Sequence, residues 1–368
     1  MQEVQSMPEL LRRLSEISDP ENRDTFLSLY VDSGDPLNSK VLERRLRAIT
    51  SALEDREHGE AVEKMYHKAR NLISNLSGGH RSVAVFLDSE NRIEEIRGLG
   101  SRIDNALILD ASPYILPLAR FADEHETFIL LLLDGQRASI HLIEDAFAET
   151  KSEHEHSAIG RHRKGGWSQM RYQRNREGIV KGFHDQVSER LDNLLDEVGE
   201  AKIIIAGPGA SKMRFQERMS KRAIESIAMV EDADLSESEN QLFERFVGLA
   251  KAHEDAEEEE YIDRLRKGLM TGERAITGCE AVITATEEGR VDDLLILENH
   301  TIPGMKCEPC VRYMFKQGQT CPICGSDGNE VDLANEAVEA AIRSSSHVEF
   351  IDDPFLESIG GIAALLRW

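Results

Sequence analysis

The chain has 368 residues, 40% of them apolar and 30% charged, with 44 basic against 68 acidic side chains and a formal net charge of −24. That length accommodates two or three domains with sizeable cores, and the composition is that of a soluble globular protein. No run approaches the roughly 18 apolar residues of a membrane span, and the first residues lack a signal peptide's apolar run, so a cytoplasmic protein with no membrane partner is expected.

In the first third, Thr25–Val31 reads as a strand, stopped by Asp32-Ser33-Gly34-Asp35-Pro36. A helix follows from about Asn38, with Leu42, Leu46, Ile49 and Leu53 on one face. Met65, Ala69, Leu72 and Leu76 repeat the pattern up to Gly78-Gly79. Ser82–Leu87 and Ala106–Leu109 read as further strands, and Pro113–Ala122 as a short helix.

The middle third opens with Phe128–Leu133 and Ala138–Ile143 around an Asp134-Gly135 turn, the pattern of a buried hairpin. His154 and His156, interleaved with Glu153 and Glu155, have metal-ligand chemistry, but such a polar stretch reads first as a solvated, mobile approach to the next segment. That segment, Arg161–Arg176, carries six basic side chains (Arg161, Arg163, Lys164, Arg171, Arg174 and Arg176), plus His162, and no acidic residue. A basic island in an acidic chain points to a polyanion such as RNA. Gly165 and Gly166 let the backbone approach a partner closely or adopt positive φ. The plainer readings are a solvated linker or a helix start capped by Ser168.

A helix should follow, with Phe183, Val187, Leu191, Leu194 and Val198 as its core stripe. Lys202–Ala206 reads as a central strand. The next residues, Gly207-Pro208-Gly209-Ala210-Ser211, lack the Gly-Lys-Ser/Thr ending of a phosphate loop. The acidic stretch Glu231–Glu239 reads as a linker, and Glu254–Glu260 as a solvated helix face.

In the last third, Cys307-Glu308-Pro309-Cys310 and Cys321-Pro322-Ile323-Cys324-Gly325 form two Cys-x-x-Cys pairs. Four thiolates from two tight knuckles suit tetrahedral, structural zinc, with no coordination position left for catalysis. Cys279 is left over as a small buried residue. Ala281–Thr286, Asp293–Leu297 and His347–Ile351 read as strands and Leu333–Ile342 as a helix.

Arg161–Arg176 resembles the peptidyl-transferase-centre loop of the archaeal and eukaryotic class I release factor family. That loop is a Gly-Gly-Gln tip in basic surroundings, followed by Ser, then Arg and an aromatic, then a long helix. Gly165, Gly166, Ser168, Arg171 and Tyr172 fall in register with it. Trp167 stands at the family's Gln position. The spacing Gly166-x-x-Gln169 is similar to a branch whose members act on peptidyl-tRNA of stalled ribosomes rather than reading stop codons. The closing Ile359–Arg367 also resembles the end of the family's C-terminal domain.

The resemblance implies a multi-domain α/β chain. It would have an N-terminal domain (1–124), an RNase H-like middle domain (125–236) with its glycine-rich loop at 160–170, and an L30e/L7Ae-like C-terminal domain (237–368) with an inserted zinc ribbon at 305–326. The family's codon-reading signatures are missing: there is no Asn-Ile-Lys-Ser, and the first cysteine is Cys279. The N-terminal third therefore reads as a docking domain without codon specificity.

The implied chemistry suits the residues. Ester cleavage needs a positioned water and donors where negative charge develops. Gly165 and Gly166 can present backbone N–H groups, and the Gln169 amide offers both donor and acceptor. The flanking Arg161, Arg163, Lys164, Arg171, Arg174 and Arg176 can hold rRNA phosphates, and Trp167 can stack on a base or pack on the helix. The reading is a release-factor-like protein that promotes peptidyl-tRNA hydrolysis without reading a stop codon. Its partners would be the ribosome, through rRNA of the peptidyl-transferase centre, peptidyl-tRNA and a translational GTPase. A stop-codon termination factor, a non-catalytic surveillance protein and a tRNA nuclease stay open, the last without a convincing carboxylate cluster for two metals.

Overall fold

The computed structural model describes the chain except for residues 1–5, 20–24, 36–37, 54, 77–79, 91, 126, 145–146, 156–166, 200, 311, 317 and 319. The chain divides into two units: His125–Glu257 with the first few residues, and Glu9–Glu124 with Glu258–Trp368.

From the N-terminus come α1 (Met7–Ser15), β1 (Phe26–Asp32), α2 (Asn38–Ala52), α3 (Arg56–Asn75), β2 (Ser82–Asp88), β3 (Glu94–Leu99), β4 (Ala106–Asp110) and α4 (Leu116–Glu124). The strands form an antiparallel sheet in the order β3-β2-β1-β4. Alternation along β1 sends Leu27, Leu29 and Val31 to one face, where α2 and α3 bury Leu42, Leu46, Val62, Met65 and Ala69 against them. Asp55 caps α3 by accepting the Glu57 N–H at 3.0 Å. β3 escaped the sequence analysis because it is a polar edge strand, with one buried residue in six and no apolar alternation.

The next elements are β5 (Phe128–Leu133), β6 (Arg137–Glu144), β7 (Phe147–Glu155), α5 (Trp167–Val198), β8 (Lys202–Ala206), α6 (Ser211–Gln216), α7 (Lys221–Glu225), β9 (Ile227–Glu231) and α8 (Glu239–Thr271). The sheet order is β7-β6-β5-β8-β9; β5, β8 and β9 pair in parallel, and β6 pairs antiparallel with both β5 and β7. Taken in chain order this is 3-2-1-4-5, the RNase H-like arrangement. Both faces are covered, which is why β5 is apolar throughout. Ile129, Leu131 and Leu133 face α5, while Phe128, Leu130 and Leu132 face Leu242, Phe246 and Ala250 of α8. Because the first half of α8 completes this core, the unit runs to Glu257 and not to 236.

The C-terminal elements are β10 (Ala275–Thr277), α9 (Cys279–Glu287), β11 (Val291–Leu297), β12 (Pro303–Cys307), β13 (Arg312–Met314), β14 (Asn329–Asp332), α10 (Leu333–Arg343), β15 (His347–Ile351), α11 (Pro354–Ser358) and β16 (Ile362–Leu366). They form a mixed sheet, β10-β16-β11-β15, and a small antiparallel sheet, β13-β12-β14. Residues 281–286, expected as a strand, lie in helix α9. Val282, Ile283, Ala285 and Thr286 are its buried residues, a helical spacing masked in the sequence by the β-branched composition of so short a run. Gly278 at φ 92° starts the helix, and packing on α10, β11 and β16 overrides the β-branched composition.

Within this second unit, a buried polar network joins the N-terminal and C-terminal segments. Asn335 on α10 accepts the N–H groups of Ile115 and Leu116 at 2.9 and 3.0 Å, capping α4. Glu339, one turn on and 2% exposed, accepts Ser112 Oγ–H at 3.0 Å and Asn335 Nδ2–H at 2.8 Å. Tyr114 Oη donates to Asp332 at 2.8 Å, and Arg343 donates to the Ser15 carbonyl at 2.7 Å.

Burial, with Glu336 close by, pushes the Glu339 carboxyl up to about 8. The folded state thus holds this proton more tightly than the unfolded chain, whose carboxyl titrates near about 4.3. The stabilisation is complete below that unfolded value and is lost as pH rises through about 8. Denaturant titrations at pH 5, 6.5 and 8 should show falling stability in the parent and a flatter profile in Glu339→Gln. Identical pH profiles would show that the group does not titrate in this window.

Candidate functional site

The glycine-rich stretch is placed by α5. Trp167 is the first residue of this 32-residue helix, so Ser168 lies inside the first turn and is not its cap. Gln169, Arg171, Arg174 and Arg176 also lie within the helix. At 100° per residue, positions 167, 171 and 174 share one face, and positions 169 and 176 share the opposite one. Arg161, Arg163, Lys164, Gly165 and Gly166 lie outside the described residues, as does His156. The approach is more regular than expected: β7 stays paired with β6 to Glu155, opposite Arg137.

The far end of α5 holds the helix in place. Phe183, Val187, Leu191, Leu194 and Leu195 are buried against β5, β6 and β8. Ser188 Oγ donates to the Arg218 carbonyl at 3.1 Å, and Ser220 Oγ donates to Asp192 at 2.6 Å. Arg222 caps the C-terminal end by donating to the carbonyls of Leu195 at 2.8 Å and Gly199 at 3.1 Å. From Trp167 to Phe183, where this stripe begins, is about 24 Å along the axis at 1.5 Å per residue.

The turn after β8 is no phosphate cradle. Lys212 is buried, and its ammonium donates to the Gly207 carbonyl at 2.9 Å and to Asp232. That contact holds the Asp232 carboxyl below its usual range. No sequence spacing announces this pair, since its partners are 20 residues apart.

The four ribbon cysteines do come together. The sulfurs of Cys307, Cys310, Cys321 and Cys324 all lie within 4.8 Å of one another, against about 3.8 Å for tetrahedral zinc thiolates with 2.3 Å bonds. Cys307 closes β12, and each pair turns tightly enough to aim both sulfurs inward. In the second knuckle Gly325, at φ 72°, donates its N–H to the Cys321 carbonyl at 2.8 Å. The N–H groups of Cys324 and Ile323 hold the Cys321 thiol below its ordinary value, and Ser326 does the same for Cys324. Cys310 is pushed up to about 12, first by its bond to Cys324. Four crowded thiols cannot all ionise without a counter-charge, and one divalent cation would supply it. Among the described residues this is the one group of three or more His, Cys, Asp or Glu able to share an ion. Cys279 opens α9 half-buried, its thiol pushed up to about 12 by burial.

Two family matches meet within the long helix α8. The family described as "Bacterial archaeo-eukaryotic release factor family 10" matches residues 113–257, and "eRF1 domain 3" matches residues 256–368. The chain belongs to the archaeal and eukaryotic class I release factor family. Among curated members, peptide chain release factor subunit 1 of Thermococcus kodakarensis is 29% identical over 286 residues, 68% of this chain and 68% of that one. The Aeropyrum pernix protein of the same name is 26% identical over 391 residues, covering 98% of this chain and 94% of its own. A crystal structure of an archaeal translation termination factor is 21% identical over 98% of this chain and 97% of that one, with a TM-score of 0.30. Among the described residues of this family member, no helix is long and apolar enough to cross a membrane.

Proposed function

We propose that this release-factor family member promotes hydrolysis of the peptidyl-tRNA ester on the ribosome without reading a stop codon, and so rescues stalled ribosomes. The observation that carries the reading is Gln169 in the first turn of α5, three residues after Gly166 and inside the basic island. A long helix start has four N–H groups without an intrahelical carbonyl, so donors gather at the same end as the amide. In the proposed step a water oxygen adds to the ester carbonyl and the bond to the tRNA ribose oxygen breaks. The leaving oxygen takes up a proton, and the peptide departs as a carboxylic acid. Gln169 orients the water, with the backbone of Gly165 and Gly166 close to the ester; the Arg and Lys flanks bind rRNA of the peptidyl-transferase centre. The N-terminal segment docks without codon specificity, and a translational GTPase is the proposed delivery partner.

The names of the curated relatives favour a second reading, stop-codon termination. One assay separates the two: peptide release on purified ribosomes with a sense codon, a stop codon or no codon in the decoding site. Release in all three supports rescue, and release on the stop codon alone overturns it.

Arg171→Glu with Arg174→Glu should weaken ribosome binding and make its salt dependence shallower, because phosphate contacts are removed. The melting temperature should barely move, because the buried stripe that anchors α5 begins only at Phe183. Unchanged affinity in sedimentation would assign the patch another use.

We further propose that Cys307, Cys310, Cys321 and Cys324 hold one structural zinc ion. Freshly purified, reduced protein should contain about one zinc per chain. Cys310→Ser should loosen the ribbon while leaving His125–Glu257 folded. Metal analysis that finds none refutes the assignment.

A further inference from the structure

The cysteine ribbon is wired to the contact between the N-terminal and C-terminal segments. β12 carries Lys306 immediately before the ligand Cys307, and β13 carries Tyr313 between the two cysteine pairs. Both side chains converge on one carboxylate oxygen of Glu336, Lys306 Nζ at 2.9 Å and Tyr313 Oη at 2.8 Å. Glu336 is 3% exposed and sits one turn before Glu339 on α10. Their neighbours Asn335 and Arg343 make the bonds to Ile115, Leu116 and Ser15 described above. β14, the third ribbon strand, runs directly into α10, whose cap is Asp332, the acceptor of Tyr114.

The ribbon cannot hold this geometry unaided. Its core is Met305, Cys307, Met314 and Cys321 with Cys310 packed alongside, so most of that core consists of the thiols themselves. Strands of three to five residues around so few apolar groups need a staple. When the ribbon loosens, Lys306 and Tyr313 leave Glu336, and a buried carboxylate is left without its cation. That is the arrangement proteins tolerate least.

We propose that metal bound at the four cysteines acts as a latch. By holding Lys306 and Tyr313 on Glu336 it keeps α10 seated against α4 and the loop at residues 112–115, and metal loss releases that contact. The latch is independent of the reading as a rescue factor.

Hydrogen exchange on the full chain tests it, in the zinc-loaded form, after chelation, and in a zinc-loaded Lys306→Met variant whose metal content is measured. Chelation and Lys306→Met should each speed exchange in the peptide containing Ile115 and Leu116 at least tenfold, with the Ile203–Ile205 peptide unchanged. Adding Glu336→Gln to Lys306→Met should restore protection, because the stranded charge is gone. Faster exchange confined to the ribbon strands, with 115–116 still protected, overturns the latch. So does failure of the double variant to recover. If chelation unfolds the second unit outright, the metal-loaded Lys306→Met comparison still decides, because it breaks the link with the ion in place.

Discussion

Gln169→Ala is expected to lower the rate of peptidyl-tRNA release by roughly 10²-fold or more, the scale of losing one preorganised polar group at a reacting centre. The alternative candidate, Trp167, occupies the position of the family's glutamine, but an indole has one donor and no acceptor and cannot hold a water from both sides. Trp167→Ala should therefore cost less, through lost stacking or a less regular first turn of α5. Ribosome binding should survive in Gln169→Ala, because the cations on α5 remain. Gly166→Ala should impair release in its own way, since it tests the path of the backbone and not the amide. Single-turnover release on purified ribosomes, measured beside binding, checks all three variants. Wild-type release by Gln169→Ala would sink the side-chain assignment, and full activity of both Gln169→Ala and Gly166→Ala would reduce the loop to a docking arm.

Gly207→Ala is expected to destabilise the His125–Glu257 unit by about 3 kcal/mol, the upper end of what overpacking a core usually costs. A Cβ at Gly207 would lie 1.8 Å from the Leu133 carbonyl oxygen, which is backbone and cannot rotate away. β5 and β8 pair in parallel up to Leu132 and Ala206, so the clash falls where the two central strands leave the sheet. The displaced carbonyl of Gly207 also accepts from the buried Lys212 ammonium. Gly209→Ala is the matched comparison: φ is 64° but nothing lies within 4 Å of the new methyl, so only the backbone preference is lost, about 1 kcal/mol. Denaturant midpoints should rank parent, Gly209→Ala and Gly207→Ala in falling order. Equal midpoints for the two variants would mean that β5 and β8 part without cost.

The sequence by itself determined whatever depends on neighbours close along the chain. Two Cys-x-x-Cys pairs were enough to expect one cluster, because that spacing lets a tight knuckle turn both of its sulfurs toward one point. The α5 stripe from Phe183 was legible because helical spacing and apolar type agree over four turns. The hairpin β5–β6 was legible because its strands flank a turn of the right kind. Tertiary structure decided the rest. Residues 281–286 became helix because α10 and the sheet bury their apolar side, a choice that six residues cannot make alone. The polar strand β3 exists because β2 offers it a hydrogen-bonding edge, and an edge leaves no apolar alternation to read. The first half of α8 joined the middle unit because Leu242 and Phe246 cover a face of β5 that would otherwise meet water. The latch residues were invisible for the same reason in its strongest form. Glu339 reads as a solvated helix charge until Ser112, 227 residues away, closes over it, and a buried carboxylate is defined by what surrounds it in space, which no local spacing records.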